Sequence, residues 1–309
     1  MKKRANGIDI EVEDSGDAVD AQGLPRPVVL LIMGLGMQLT AWPPAMVQAL
    51  VDAGYRVVRI DNRDAGLSQK FDALGKPRVL WAVLKYRLGW RIAPPYRLHD
   101  MAQDSLGVLD ALQIDKAHVL GASMGGMIAQ RLALLAPARV ISLTSLMSSS
   151  GARGLPKARP EVTRVLMRRP AGKGIEAAID HSVGVFKAVG SPAFPMPDAD
   201  LRDMVGAAVR RSLYPVGILR QMVAILADAS RANELAGVKV PTLVVHGKAD
   251  PLVPFACGQD TARRIPGARL AGIDGMGHDL PPGVVKPLLA LLIPHFASAT
   301  SVNHLEIAP

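Results

Sequence analysis

The sequence predicts an α/β fold in which helices cover a mostly parallel sheet. Short apolar runs alternate with longer helical stretches along most of the 309 residues, a pattern typical of strand–helix–strand units. Hydrophobic residues make up 49% of the chain and charged residues 20%, so enough apolar surface is present to offset the entropy lost on folding. The single cysteine, Cys257, excludes an intramolecular disulfide and a cysteine-based metal site.

The predicted elements follow one another in the order that such a sheet requires. Prolines introduce the first buried run, and glycine or proline closes several helices, because neither residue continues a helix well. The predicted strands are 28–33, 56–60, 117–120, 140–147, 242–246 and 269–273. The predicted helices are 44–53, 98–112, 124–135 and 284–296.

Two stretches interrupt this alternation. Residues 69–97 form a long connection, and residues 151–233 contain helical pieces separated by prolines and glycines, without a clear buried strand. Loops at the carboxyl ends of parallel strands carry the chemistry of such sheets, so a long insertion there predicts a cover over an active site. We therefore expect a core domain, 1–150 and 234–309, and a helical cap domain, 151–233.

The glycine-rich segment 121–126 contains the candidate nucleophile, Ser123. It follows the predicted strand 117–120 and opens the helix 124–135, which is the context of a nucleophile elbow. Such a turn has no room for side chains at Gly121 and Gly125, and the helix N-terminus stabilises negative charge beside it. A phosphate-binding turn is the alternative, but the G-K-[ST] and G-x-G-x-x-G patterns are absent from this segment.

A serine hydroxyl needs a base to take its proton and an acid to orient that base. His278 lies on a glycine-flanked loop after the last predicted strand, unlike the other histidines of the chain. Asp250 follows the strand 242–246, whereas Asp274 and Asp279 are too close in sequence to His278 to be preferred. We predict a catalytic triad of Ser123, His278 and Asp250.

A tetrahedral oxyanion needs two hydrogen-bond donors, usually backbone N–H groups. We predict the N–H of Met124, which follows the nucleophile, and that of Leu35, in the loop after the first buried strand; a plain glycine turn is the alternative for this loop. The expected substrate-binding residues are Met33, Gly34, Gly36, Met37, Trp81 and Trp90. A membrane-surface position is the alternative for residues 79–92, which mix Trp, Leu and basic residues.

On these motifs the chain resembles the α/β-hydrolase fold superfamily over nearly its whole length. The elbow 121–126, the polar turn 61–68, and Asp250 with His278 carry the resemblance. Segments 61–68 and 275–281 resemble the branch that contains aclacinomycin methylesterase and many bacterial carboxylesterases. The resemblance implies a carboxylic-ester hydrolase that uses no metal and no organic cofactor. Met33 stands where many members have histidine, which makes the predicted oxyanion loop more apolar.

We therefore expect a serine hydrolase that cleaves a carboxylic ester through an acyl-enzyme intermediate. Its expected partner is a small-molecule ester with an apolar acyl or aromatic part. The same triad is also compatible with hydrolysis of a C–C bond or with perhydrolysis, and both stay open. A non-catalytic ligand receptor is disfavoured because the chain keeps all three triad residues.

The net charge of +9 is concentrated in two basic segments. Residues 69–100 contain seven Lys or Arg against two Asp or Glu, and residues 151–235 contain thirteen against eight. These segments predict contact with an anionic substrate, carrier or membrane surface, or else a solvated basic face. Nucleic-acid binding is not expected, because aromatic residues make up only 4% of the chain and no binding motif is present. Without an apolar leader or a long apolar run, we expect a cytoplasmic protein that does not span a membrane.

Overall fold

One sheet of eight strands runs through the molecule. The computed structural model describes residues 1–16, 18–20, 22–168 and 170–305, with side chains as far as Ser301. The strands are β1 (Lys2–Ala5), β2 (Ile8–Asp14), β3 (Val28–Ile32), β4 (Arg56–Ile60), β5 (Ala117–Ala122), β6 (Val140–Leu146), β7 (Thr242–Gly247) and β8 (Arg269–Ile273). The helices are α1 (Pro44–Asp52), α2 (Val79–Leu88), α3 (Leu98–Ala111), α4 (Met124–Leu135), α5 (Pro160–Met167), α6 (Ile175–Val189), α7 (Asp198–Arg211), α8 (Pro215–Leu226), α9 (Arg231–Glu234), α10 (Phe255–Arg264) and α11 (Pro282–Leu305).

The strand order across the sheet is β1-β2-β4-β3-β5-β6-β7-β8. From β4 to β8 in this order, neighbouring strands run parallel to one another. At the opposite edge, β1 pairs antiparallel with β2, and β2 pairs antiparallel with β4. Parallel strands end at the same edge, so the carboxyl ends of β3, β5, β7 and β8 lie on one side of the molecule. The predicted α/β architecture is confirmed, and each predicted strand ends within two residues of its expected position.

Side chains of the central strands alternate between two helical layers, as the pleat of a strand requires. In β3, Leu30 and Ile32 pack with buried residues of α3 and α4. Val29 and Leu31 point to the opposite face and pack with buried residues of α1 and α11. Both faces are therefore buried, which explains why this strand is a continuous apolar run in the sequence.

The structure corrects the prediction at the N-terminus, where no strand was expected before residue 28. Residues 2–14 form the antiparallel hairpin β1–β2, and β2 pairs with β4. Ile8, Ile10 and Val12 are buried and alternate with acidic residues that are half exposed. This is the period-two pattern of a half-buried strand.

Helix α11 extends beyond both ends of the predicted helix 284–296. In the described part of the chain, Pro282–Ser301 is the one helical stretch long and apolar enough to cross a membrane by length and composition alone. Val284, Leu288, Leu292 and Phe296 are nevertheless fully buried in the layer that also contains α1. One face of α11 is thus a core face of the α/β fold.

Helices α5 to α9 lie between β6 and β7, and the described residues of 151–233 contain no strand. Ile179 of α6 forms a small apolar cluster with Leu201, Val205 and Val209 of α7, apart from the two layers beside the sheet. Helix α8 contacts the loop after β3, because a Cβ at Gly36 would stand 2.7 Å from Cγ1 of Ile218. The insertion therefore reaches the carboxyl edge of the sheet.

Candidate active site

Ser123 occupies a strained turn between β5 and α4. Its φ of 55° and ψ of −120° lie in a region that L-residues with a side chain rarely adopt. The backbone can form this turn only because residues 121 and 125 are glycines. A Cβ at Gly121 would stand 2.0 Å from the carbonyl oxygen of Gly125, and a Cβ at Gly125 would stand 2.0 Å from that of Ile32. The sequence therefore folds into a turn that lifts the Ser123 side chain above the end of β5.

The structure brings the three predicted triad residues together. Nε2 of His278 lies 3.0 Å from Oγ of Ser123, and Nδ1 of His278 lies 2.7 Å from Oδ2 of Asp250. Asp250 follows β7 and His278 follows β8, so the parallel strands deliver all three side chains to one edge of the sheet. The contacts form a continuous hydrogen-bonded chain from the hydroxyl through the imidazole to the carboxylate.

The Asp250 carboxylate is buried but well satisfied by hydrogen bonds. The backbone N–H groups of Leu252 and Val253 donate to Oδ1 over 2.9 and 2.8 Å. Burial alone would raise the pKa of this carboxyl, but the facing His278 and the hydrogen bonds from His246, His278 and Val253 outweigh burial and lower the pKa to about 2. Asp250 is therefore ionised at neutral pH and accepts a hydrogen bond from Nδ1–H of His278.

His246, the penultimate residue of β7, is fully buried. Its Nε2 donates to the carbonyl oxygen of Val253 over 2.7 Å and stands 3.5 Å from Oδ2 of Asp250. The contact with Val253 is the stronger hydrogen bond by its length. His246 thus supports the turn whose N–H groups hold the Asp250 carboxylate.

The loop that carries His278 is attached to the insertion between β6 and β7. The N–H of His278 donates to the carbonyl oxygen of Val189 over 2.7 Å, and that of Gly277 donates to Oγ of Ser191 over 2.9 Å. Ser191 in turn donates to the carboxyl of Asp279, whose pKa is raised by burial. A Cβ at Gly277 would stand 2.4 Å from the carbonyl oxygen of Gly190, so this close attachment requires glycine.

The loop after β3 lies directly against Ser123. A Cβ at Gly34 would stand 3.0 Å from Cβ of Ser123. Met124 is the first residue of α4, so its N–H has no acceptor within the helix. In the described part of the chain, the N–H of Leu35 donates to no backbone or side-chain acceptor. The two predicted oxyanion donors are thus on the two segments that meet at Ser123.

Side chains distant in sequence hold this loop. The N–H of Gly36 donates to Oε1 of Gln221 over 2.8 Å, and Nε2 of Gln221 donates to the carbonyl oxygen of Arg63. Gln38 accepts a hydrogen bond from Arg211 over 2.6 Å and donates to the carbonyl oxygen of Ala208. Sequence reasoning missed Gln38 and Gln221, because each bond joins residues more than 150 positions apart and leaves no local pattern.

The polar turn 61–68 also holds the loop after β3 by hydrogen bonds. Asp61 is fully buried and accepts hydrogen bonds from the N–H of Leu39 over 2.7 Å and from Nη1 of Arg211 over 2.7 Å. Nδ2 of Asn62 donates to the carbonyl oxygen of Met33 over 2.8 Å. The turn that carries the family resemblance thus fixes the backbone on both sides of Gly34.

The predicted substrate-binding residues fall into two groups. Met33, Gly34, Gly36 and Met37 belong to the loop beside Ser123, where Met33 is buried and Met37 is half-buried. Trp81 lies in α2, Trp90 follows the end of this helix, and each tryptophan is about half exposed. Trp90 borders a surface cavity whose lining residues include neither Ser123 nor His278.

No group of three or more His, Cys, Asp or Glu side chains in the described part of the chain is arranged to hold a metal ion.

A parallel sheet with a strained serine after a central strand and a histidine after the last strand defines a hydrolase of the α/β class. The chain belongs to the alpha/beta hydrolase fold family, whose sequence model matches residues 27–281.

Three comparisons place the chain within this family. It is 30% identical to rhodomycin D methylesterase DauP from Streptomyces sp. (strain C5), covering 93% of this chain and 95% of that protein. It is 26% identical to 2-hydroxy-6-oxononadienedioate/2-hydroxy-6-oxononatrienedioate hydrolase from Pseudomonas sp., covering 87% and 85%. The enol-lactonase structure from Burkholderia xenovorans LB400 superposes with a TM-score of 0.67 at 21% identity, covering 96% and 100%. The predicted family resemblance is confirmed.

Proposed function

We propose that this enzyme hydrolyses a carboxylic ester of a small molecule through Ser123, His278 and Asp250. The observation that carries the proposal is the hydrogen-bonded chain from Oγ of Ser123 through His278 to Asp250. The similarity to a protein named rhodomycin D methylesterase over nearly the whole chain supports an ester as the substrate class.

In the proposed mechanism, Oγ of Ser123 attacks the ester carbonyl carbon while its proton passes to Nε2 of His278. The carbonyl oxygen becomes an oxyanion, which accepts hydrogen bonds from the N–H groups of Leu35 and Met124. The bond to the alcohol oxygen then breaks, and Nε2 of His278 gives its proton to that leaving oxygen. An acyl group remains on Ser123.

Water completes the cycle. It attacks the acyl carbonyl carbon and gives a proton to Nε2 of His278; the acyl–oxygen bond to Ser123 breaks, and the proton returns to Oγ. The products are the carboxylic acid and the alcohol. Asp250 keeps its charge throughout and holds the histidine in the tautomer that carries hydrogen at Nδ1.

We also propose that residues 151–233 act as a cap and set the shape of the substrate pocket. Helix α8 of this insertion contacts the loop after β3 through Ile218 and Gln221. Met33 and Met37 make that loop apolar, which suits an apolar acyl or aromatic group. We place the enzyme in the cytoplasm, as the sequence predicts.

The test is the hydrolysis of p-nitrophenyl esters from acetate to palmitate by the wild type and by Ser123→Ala. We expect the substitution to lower kcat by at least ~10⁴-fold, because no other group supplies the nucleophile. Ser301→Ala changes an exposed serine on α11 and is the matched control, with turnover equal to the wild type. Near-wild-type turnover by Ser123→Ala would overturn the proposal.

A second candidate is the hydrolysis of a C–C bond in a 2-hydroxy-6-oxo dienoate. The similarity to a hydrolase named for such substrates, over 87% of this chain, favours it. The same wild-type enzyme is given a dienoate of this class, and loss of the substrate's absorbance is followed. A kcat/KM higher than for every ester would make this second candidate the function.

A further inference from the structure

Helix α2 is apolar on both of its faces. Its inner face, with the buried Ala82, packs against α8. Its outer face exposes Leu80, Leu84 and Leu88 to solvent, and Leu80 is 81% exposed. A helix at the surface of a globular protein normally presents polar residues on its outer side. The outer face of α2 therefore resembles a face that has an apolar partner.

Two indoles extend this apolar face. Gly89 ends α2 in the left-handed conformation, with φ of 74° and ψ of 12°, and the N–H of Trp90 donates to the carbonyl oxygen of Lys85 over 2.9 Å. The turn brings the Trp90 ring edge-to-face against Trp81, with ring centroids 6.3 Å apart. Trp81 is 46% exposed and Trp90 is 54% exposed. Paired, half-exposed indoles are amphipathic and suit the boundary between water and hydrocarbon.

Every charged residue in and around α2 is basic. Residues 76–91, here called the α2 surface, contain five Lys or Arg and no Asp or Glu. These cations are Lys76, Arg78, Lys85, Arg87 and Arg91. All but the half-buried Lys85 are exposed, and within the described residues none of the five forms an ion pair. The Lys85 ammonium lies 5.6 Å from the Trp81 ring centre. Cations and large apolar side chains thus alternate over one exposed surface.

We propose that the α2 surface docks the enzyme on an anionic lipid membrane. The leucines and indoles would enter the headgroup region, to a depth of about 5–10 Å, while the lysines and arginines meet the lipid phosphates. A bilayer offers anionic groups and hydrocarbon within a few ångströms of each other, which matches this interleaving. A second copy of the chain is disfavoured, because a two-fold contact would bring the same cations face to face.

This docking would place the bilayer one helix away from the candidate site. Helix α8 packs against α2 on one side and contacts Gly36 through Gln221 and Ile218 on the other. The proposal concerns only where the enzyme binds, so its outcome is independent of whether the substrate is an ester.

The test is co-sedimentation of the purified wild type with vesicles of phosphatidylcholine alone, or of phosphatidylcholine mixed with phosphatidylglycerol. We expect sedimentation with the mixed vesicles only, and weaker sedimentation at high salt, because the attraction to anionic lipid is screened. Tryptophan emission should also shift to shorter wavelength. That shift reports Trp81 and Trp90, because Trp42 is already fully buried in the core.

Two double variants probe the surface without touching the proposed catalytic residues. Leu80→Ser with Leu84→Ser removes apolar contacts, and Lys85→Glu with Arg87→Glu reverses charges. Each pair should lower the membrane partition coefficient by at least about tenfold. Far-UV circular dichroism and the melting temperature of both variants should match the wild type, which shows that they fold.

Matched controls change similar residues elsewhere. Leu24→Ser alters a leucine that is 62% exposed before β3, and Lys239→Glu with Arg263→Glu reverses two exposed cations. These controls should bind mixed vesicles like the wild type. Failure of the wild type to sediment, equal binding to neutral vesicles, or wild-type binding by both α2 variants would overturn the proposal. A wild-type dimer that the leucine variant dissociates would also overturn it and assign the surface to a second copy.

Discussion

The Asp250 side chain has no exposed surface, and its pKa still lies at about 2. Hydrogen bonds and the facing imidazole thus outweigh the cost of burying the charge. Asp250→Asn would keep the shape but replace one carboxylate oxygen by an NH2 donor and remove the charge, so it would no longer hold the hydrogen of His278 at Nδ1. We expect kcat to fall on the order of 10⁴-fold in the ester assay. Asp274→Asn, at a carboxyl that is 85% exposed, is the control and should leave kcat unchanged.

The lowered pKa of Asp250 also predicts how stability varies with pH. The folded-state pKa is below the unfolded-state value, so the contribution of Asp250 to the free energy of unfolding is fully present above about pH 4. It is lost as the pH falls towards about 2. Urea unfolding across this acidic range should show a smaller loss of stability for Asp250→Asn than for the wild type. An equal loss of stability in both proteins would contradict the lowered pKa of Asp250.

Glycine is required at some positions of this chain and replaceable at others. A Cβ at Gly125 would stand 2.0 Å from the backbone carbonyl oxygen of Ile32, whereas a Cβ at Gly184, within α6, meets no atom within 4 Å. Gly125→Ala should therefore displace the turn at Ser123 and abolish ester turnover. Gly184→Ala should stabilise the protein by about 0.5–1 kcal/mol, because alanine favours the helix. Thermal unfolding and turnover of both variants measure these opposite effects.

At the scale of single elements, Gln221 of α8 links the insertion to the loop beside Ser123. Gln221 is fully buried and bridges the N–H of Gly36 and the carbonyl oxygen of Arg63. Gln221→Ala would leave both groups without this partner, at a cost of about 1–3 kcal/mol. We expect lower kcat and a lower urea midpoint together. Gln48→Ala, at an exposed glutamine of α1 whose side chain donates to Asp52, should change neither quantity.

Two buried histidines, His118 on β5 and His295 on α11, should make the stability of the protein sensitive to acid. Burial, with the nearby His295, lowers the pKa of His118 to about 3, and burial lowers that of His295 to about 4. Both histidines are thus neutral in the folded protein and gain protons on unfolding below about pH 6.5. The melting temperature should therefore fall as the pH drops from about 6.5 to 4. His295→Leu should flatten this dependence, whereas His181→Gln, on α6, should not.

The elements with a strong local pattern could be predicted from the sequence. Buried parallel strands are continuous apolar runs, and the glycines around Ser123 mark a turn whose backbone tolerates nothing larger. Strand β2 has an equally clear alternation of buried apolar and half-exposed acidic residues, but it contains no continuous apolar run that would mark it as a buried strand. The contacts of Gln38, Gln221 and Ser191 could not be predicted, because they depend on how distant helices meet and no local pattern encodes that.

At the scale of the whole molecule, a buried cluster of charges joins α4 to the end of the insertion. Asp228 accepts hydrogen bonds from Arg131 over 2.6 Å and from Arg231, which is fully buried. Arg231 also donates to Oε1 of Gln130 over 2.8 Å. The two guanidinium groups share the Asp228 carboxylate, and Arg131 also pairs with the exposed Glu234 over 2.5 Å. The charge of Arg231 is thus compensated mainly by Asp228.

Removing that carboxylate should therefore be costly. Asp228→Asn would leave the fully buried Arg231 without its ion-pair partner, and we expect a loss of about 3–5 kcal/mol in the free energy of unfolding. Asp180→Asn removes the carboxyl of an exposed ion pair with Arg202 and should have little effect. Urea unfolding of the two variants, measured side by side, tests the difference; similar losses would contradict the special role of the buried cluster.

The attachment of the His278 loop to Val189, Ser191 and Ala193 has a consequence for protein engineering. Exchanging the insertion for that of a relative is an obvious way to transplant substrate preference. A graft cut at residues 151 and 233 would also replace the hydrogen-bond partners that position His278, the proposed general base. Chimeras that retain 189–194 from the recipient should keep their turnover, while those that import the donor's residues there should need compensating changes around Gly275 and Gly277.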